Sequence, residues 1–202
     1  MEDMKGGIYG SHLPAMQAVM QRLLEQIGEL RRQIAQGTGF DPVEHCLSRI
    51  KSEDSMREKC RRKGLPETTD SALRHIHDAI GIRIVCAFVD DVRVVRDHLA
   101  SLDGVEVIEE KDYIRHAKPN GYRSYHVILR VDGQYYVEVQ IRTIAMDTWA
   151  ALEHHLKYKK NGGSRTDLLI RELKRCSDEL ASTDMTLQTI RDMILEDWED
   201  SE

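Results

Sequence analysis

The chain has 202 residues, 41% of them hydrophobic and 32% charged, with a formal net charge of −6. That length suits one domain with accessory elements, or two small ones, with enough apolar residues to bury a core. No apolar run approaches the roughly eighteen residues of a membrane helix, and the acidic balance argues against a DNA-binding protein.

The N-terminus, MEDMKGGIYG, lacks an apolar h-region, so no secretory signal is expected. Cys46, Cys60, Cys86 and Cys176 are scattered without a C-x-x-C pair and read as reduced thiols of a cytoplasmic protein.

In chain order, "LPAMQAVMQRLLEQIGELRRQIAQG" sets Met16, Met20, Leu23, Ile27, Leu30 and Ile34 on one stripe. This predicts an amphipathic helix closed by Gly37. "VEHCLSRIK" reads as a short strand, and Ser52 as the cap of a helix over 53–63, closed by Gly64 with Pro66 beyond. "AIGIRIVCAFV" is β-branched and nearly continuous in apolar character, which predicts a strand buried on both faces. "DDVRVVRDHLASLDG" predicts a helix capped by Asp90, and "VEVIEE" a short strand. "KPNGYRSYHVIL" is a loop feeding a strand, joined through Asp132-Gly133 to its hairpin partner "QYYVEVQIRT". "AMDTWAALEHHLKYK" predicts a helix ending at Asn161-Gly162, with Trp149, Leu152 and Leu156 in the core. A long helix over about 166–194 carries Leu169, Leu173, Cys176, Leu180, Leu187, Ile190 and Ile194 on one face, before the acidic tail "EDWEDSE". The two terminal stripes either pack on the core or meet a neighbouring subunit, and the long second one favours oligomerisation. The expected layout is a helical segment over 1–40, a mixed α/β domain over 41–162, and a helix with tail over 163–202.

Three groups of polar residues stand out. Period-two alternation puts Tyr135, Val137, Val139 and Ile141 on one face of the last strand and Tyr136, Glu138, Gln140 and Arg142 on the other. Alone, that second face reads as the solvated side of a sheet. Tyr122, Ser124 and His126 on the partner strand turn it into a candidate floor of a polar cleft. Asp78, just before "AIGIRIVCAFV", is either a cap or turn residue or one of the two carboxylates that a phosphoryl-transfer site needs for Mg²⁺, with Glu138 as the second. The basic run "RIKSEDSMREKCRRK" supplies Arg49, Lys51, Lys59, Arg61, Arg62 and Lys63, either as a solvated face or as a cradle for a triphosphate. There is no G-x-x-x-x-G-K-[ST] and no G-x-G-x-x-G, which excludes a P-loop or dinucleotide site. His154 and His155 are adjacent rather than one turn apart, and "HIHD" lacks further ligands, so neither predicts a metal centre.

Four blocks, "RIKSEDSMREKCRRK", "DAIGIRIVC", "KPNGYRSYHVIL" and "VEVQIRTIAMDTWAALEHHLKYK", occur in the order and spacing of the RelA/SpoT-type alarmone synthetase domain. The chain resembles that family over roughly residues 43 to 160, in its small single-domain form. The resemblance implies an α+β fold: a mixed sheet in a nucleotidyltransferase-like synthetase domain, flanked by N- and C-terminal helices. It implies a cytoplasmic (p)ppGpp synthetase of the stringent response. Such an enzyme transfers the β,γ-pyrophosphate of ATP to the ribose 3′-oxygen of GDP or GTP and releases AMP. Carried onto this sequence, the resemblance assigns Arg49 and Arg83 to adenine stacking and Lys51, Ser55, Lys59 and Arg62 to the ATP phosphates. Asp78 is the Mg²⁺ ligand, with Glu138 assisting the metal or activating the 3′-hydroxyl. Tyr122 stacks the guanine, Lys118 meets the acceptor's phosphates, and Asn120, His126, Gln140 and Arg142 fall on other acceptor-site positions.

A homotetramer is implied as well, together with regulation by single-stranded RNA. Some relatives bind pppGpp in a tetramer cleft using an aromatic and an asparagine. Here His45 and Asp147 stand at those places, so activation by pppGpp is not expected, because a carboxylate is a poor host for a polyphosphate. The competing readings are a toxic relative that pyrophosphorylates adenosine nucleotides or tRNA ends, and a catalytically silent nucleotide- or RNA-binding module.

Overall fold

A computed structural model describes residues 7–157 and 166–199. Helix α1, Leu13–Thr38, starts with Pro14 in its first turn and buries Met16, Val19, Leu23, Ile27 and Leu30. It runs two residues past the predicted stop. Gly37 stays helical, whereas Gly39 takes the left-handed conformation (φ 73°) and its N–H donates to the Ala35 carbonyl.

Five strands follow: β1 (Val43–Ile50), β2 (Ile80–Cys86), β3 (Val105–Asp112), β4 (Tyr125–Val131) and β5 (Tyr135–Thr143). Their order across the sheet is β1-β2-β5-β4-β3, with β2 and β5 parallel and the other neighbours antiparallel. Asp132 and Gly133, both at positive φ (53° and 65°), form the tight turn between β4 and β5. The α1 stripe, Ile80, Ile82 and Ile84 of β2, and Val137, Val139 and Ile141 of β5 belong to one buried cluster. Each fully buried side chain of this kind is worth about 1.5–3 kcal/mol relative to exposure.

Helix α2 (Glu53–Arg62) starts as expected, with the Ser52 side chain accepting from the Ser55 N–H. Helix α3 (Val89–Ser101) is not capped by Asp90. Asp91 instead accepts from the Phe88 N–H at 3.0 Å, while the Asp90 N–H donates to Gln188. Strand β2 is buried along one face, and on the other at Val85 but not at Gly81 and Arg83. Gly81 and Arg83 on its other face are half-exposed, because that face floors an open cleft.

Helix α4 (Ile144–Lys157) buries Met146, Trp149 and Glu153, yet Leu152 and Leu156 are more than half exposed, contrary to their expected core role. The predicted end at Asn161-Gly162 lies outside the described residues.

Helix α5 (Thr166–Glu199) turns its polar side inward. Ser177, Asp184 and Gln188 are buried, while Leu169, Cys176, Leu187, Ile190 and Ile194 of the predicted stripe are exposed. Its neighbours explain the choice: Asp184 accepts from the Thr143 hydroxyl at 2.5 Å, and Arg191 pairs with Asp91 at 2.7 Å. Groups already committed to a fold need partners more than apolar surface does. Among the described residues, no helix is long and apolar enough to cross a membrane.

Candidate active site

The sheet face opposite the α1 side carries two cross-strand rows. Arg49, Gly81 and Glu138 pair in register across β1, β2 and β5; Leu47, Arg83, Gln140 and His126 form the next row, extending to β4. These rows, His126 apart, line a cleft of about 240 Å³ that also includes Ser48 and Ile82. A larger cavity, about 550 Å³, lies between α3 and the segment after β3 and contains none of the predicted site residues. The smaller cleft is the better candidate, because charged groups from three strands converge on it.

Where β1 ends and β2 begins, Lys59 Nζ lies 2.5 Å and Lys51 Nζ 3.1 Å from the same oxygen, Asp78 Oδ2. Asp78 Oδ1 is buried without a hydrogen-bond partner. Burial raises the Asp78 pKa, but the Lys59 hydrogen bond and the charges of both lysines outweigh it, so the carboxyl lies below its ordinary range. The Lys51 carbonyl accepts from the Tyr9 hydroxyl at 2.6 Å, tying the start of the chain to this corner. Ser55, Lys59 and Arg62 lie on one side of α2 by their i, i+4, i+7 spacing, and Ser55 and Arg62 are exposed, as is Arg49 on β1.

From Glu138 and Gln140 of the cleft a connected polar network runs to the loop before β4. Buried Arg142 donates to the Tyr122 hydroxyl and to Gln140 Oε1, both at 2.8 Å, and to Asp147 Oδ1 at 3.0 Å. Gln140 Nε2 donates to Glu138 at 3.2 Å, and the Tyr122 hydroxyl meets His126 Nε2 at 2.8 Å. Burial, then the positive charges of Arg142, Lys118 and Lys111, pull the His126 pKa down to about 4, so this imidazole is neutral at pH 7. Lys118 Nζ sits over the Tyr113 and Tyr122 rings, 4.4 and 4.9 Å from their centres.

The loop carrying these groups is pinned from below. Gly121, at φ 92°, packs against α5, and its carbonyl accepts from the Ser177 hydroxyl. Asn120 braces the loop: Oδ1 accepts from the Tyr122 N–H and Nδ2 donates to Glu153, both at 3.2 Å. Ser124, expected on the polar face, is fully buried there: it accepts from Arg142 Nε at 3.4 Å and donates to the Ile141 carbonyl.

The structure therefore gathers Lys51, Lys59 and Asp78 in one cluster and Lys118, Tyr122, His126, Glu138, Gln140 and Arg142 in another. No hydrogen bond or ion pair among the described residues joins Asp78 to Glu138 directly.

A family model described as "Region found in RelA / SpoT proteins" matches residues 48–163. The chain belongs to the RelA/SpoT family. The GTP pyrophosphokinase YjbM of Bacillus subtilis is 34% identical over 91% of this chain and 88% of its own length. YwaC of the same organism, also a GTP pyrophosphokinase, is 45% identical over 61% of this chain; that match spans 62% of YwaC, less than two thirds of its length. Among solved structures, the small alarmone synthetase 1 of Bacillus subtilis superposes with a TM-score of 0.77 at 31% identity, covering 92% of this chain and 96% of that one. The same relative has been solved with its product pppGpp (TM-score 0.74, 32% identity, 89% and 94% covered).

Within this RelA/SpoT domain, three side chains make contacts that the sequence did not assign to them. Tyr113 joins the aromatic group around Lys118, His77 stacks on Tyr136 with ring centres 4.0 Å apart, and Asp147 reaches both Arg142 and Arg83. None shares a strand period with the residues it meets. Asp147, read from sequence as a free carboxylate facing a polyphosphate cleft, turns its oxygen to these arginines.

Proposed function

We propose that this RelA/SpoT-family chain is a GTP pyrophosphokinase, transferring the β,γ-pyrophosphate of ATP to the ribose 3′-hydroxyl of GDP or GTP and releasing AMP. The observation that carries this reading is the presence of a lysine–carboxylate cluster and a tyrosine–arginine cluster on one sheet, in a chain similar to a GTP pyrophosphokinase along most of YjbM. Attack by a hydroxyl on a phosphoanhydride is mainly a problem of alignment and charge neutralisation, and this arrangement suits both.

On this reading Arg49 and Arg83 hold adenine, and Lys51, Ser55, Lys59 and Arg62 hold the ATP phosphates. Tyr122 stacks the guanine, with Lys118 at the acceptor's phosphates and Asn120, His126, Gln140 and Arg142 shaping that side. Glu138 faces the hydroxyl that must lose its proton. Asp78 and Glu138 fit Mg²⁺ shared with substrate oxygens. Asp78 Oδ1 is a buried acceptor without a partner, and among the described residues no group of three or more His, Cys, Asp or Glu side chains could hold a metal ion unaided. When bound, the ion would neutralise phosphate charge; binding and orientation rest with the side chains named. The exposed apolar residues of α5, Met185, Leu187, Ile190, Met193 and Ile194, support a homotetramer.

The test is incubation of purified protein with ATP and Mg²⁺ and, separately, GMP, GDP, GTP, AMP or tRNA, followed by separation of the products. Guanosine nucleotides bearing a 3′-pyrophosphate, formed in step with AMP, are expected. Products on AMP or tRNA alone would overturn the reading.

A further inference from the structure

Asp147 occupies the first turn of α4, where the helix dipole favours negative charge. Its Oδ1 lies 3.0 Å from Arg142 Nη1 and 3.6 Å from Arg83 Nη1. On the proposed reading those arginines serve different nucleotides. Arg83 stands on β2 in the cleft lining with its side chain 40% exposed. Arg142 is nearly buried, its side chain 6% exposed, and it holds the Tyr122 hydroxyl and Gln140. One carboxylate oxygen thus serves two cations, closely and from a buried partner on one side, loosely and from a more exposed partner on the other.

The loose contact is the one a ligand can exchange. Arg83 is half in solvent, and an exposed ion pair at this distance contributes little. Its Nε is buried without a partner, so its present pose leaves bonding capacity unused. A nucleotide stacked on or bonded to Arg83 draws the guanidinium away from Asp147. The carboxylate then belongs to Arg142 alone, and Arg142 is what fixes the Tyr122 hydroxyl.

We propose that Asp147 is a positioning residue that couples the two nucleotide sites, so that occupation of the Arg83 side tightens binding on the Tyr122–Arg142 side. The proposal rests on the pyrophosphokinase reading above for the identity of the two ligands. By linkage the effect is reciprocal: the acceptor tightens the donor by the same factor. It also gives Asp147 a function inside the protomer, independent of any cleft between subunits.

Calorimetric titration of the full chain with GDP, with and without saturating α,β-methylene-ATP, tests this. The wild type should bind GDP about five-fold or more tightly when the analogue is present. In Asp147→Asn the amide oxygen still accepts from Arg142, so GDP alone should bind much as in the wild type, while the coupling disappears. Arg83→Ala should bind the analogue poorly yet bind GDP alone more tightly than the wild type does, because Asp147 is already undivided. A merely structural Asp147 predicts neither the selective loss nor this gain. Wild-type coupling retained in Asp147→Asn, or no coupling in the wild type, overturns the proposal while leaving the pyrophosphokinase reading intact. Failure of the wild type to bind either nucleotide would sink that reading, and this proposal with it.

Discussion

Arg142 Nη2 donates to the Tyr122 hydroxyl at 2.8 Å, and the same hydroxyl meets His126 Nε2 at 2.8 Å. A guanidinium can only donate, so the tyrosine oxygen accepts from Arg142 while it also bonds the imidazole nitrogen. The ring of Tyr122 is thereby held at its polar end, with Lys118 Nζ 4.9 Å from its centre, and on the proposed reading it is the platform for guanine.

Removing that platform should act on one substrate. Tyr122→Ala is expected to raise the KM for GDP or GTP by about 5- to 150-fold, the equivalent of roughly 1–3 kcal/mol of base stacking, with much less effect on the KM for ATP. Steady-state kinetics with each substrate varied in turn would check this, and equal rises in both would exclude the stacking role.

Glu138 is held by Gln140 and lies 3.8 Å from His126 Nδ1. Glu138→Gln keeps size and hydrogen bonding but removes the charge. Turnover should fall by at least about 100-fold, within the range of a lost general base, while calorimetry still detects ATP-analogue and GDP binding. Substantial synthesis by this variant would remove Glu138 from the chemistry.

His126 gives stability a definite pH dependence. Its folded pKa of about 4 lies below the ordinary 6.5, so between these values the unfolded chain binds a proton that the folded one does not. The neutral imidazole's contribution is fully present above about pH 6.5 and is lost as pH falls toward 4, by up to about 3 kcal/mol. Asp78, with its lowered pKa, acts in the same direction at still lower pH. Urea unfolding of His126→Gln across this window should show a flatter pH slope than the wild type.

The loop carrying Tyr122 depends on Gly121. A Cβ added there would stand 2.9 Å from both Lys174 Cα and Ser177 Cβ, on a backbone at φ 92°. Gly121→Ala should cost about 1–3 kcal/mol of stability and lower Tm by several degrees. It should also weaken GDP binding while sparing ATP, since the donor corner is built on α2 and β2. Unfolding and titration of the same sample would separate the two effects.

Much of this site was legible in the sequence. Alternation assigned Glu138, Gln140 and Arg142 to one face of β5 and Val137, Val139 and Ile141 to the other, because side chains on a strand repeat every two residues whatever they meet. Ser52 and the Asp132-Gly133 turn were readable for a similar reason: a cap and a tight turn are set by adjacent residues. Asp78 and the basic run stood out by residue type, with roles assigned by the resemblance, but no periodicity says that Lys51 and Lys59 converge on one oxygen of Asp78. Nor did any local pattern mark Asp147, whose two partners sit on different strands.

The sequence by itself determined the elements, their apolar stripes and the family, since these depend on backbone preferences and residue order over short stretches. Tertiary structure decided which stripe faces inward. On α5 it buried Ser177, Asp184 and Gln188, leaving Leu187 and Ile190 exposed, because fixed polar groups such as the Thr143 hydroxyl and the Asp90 N–H sit opposite. Helical period is blind to what lies across from it. It also placed β2 beside β5, so that Arg83 and Arg142, far apart in the chain, come to share one carboxylate.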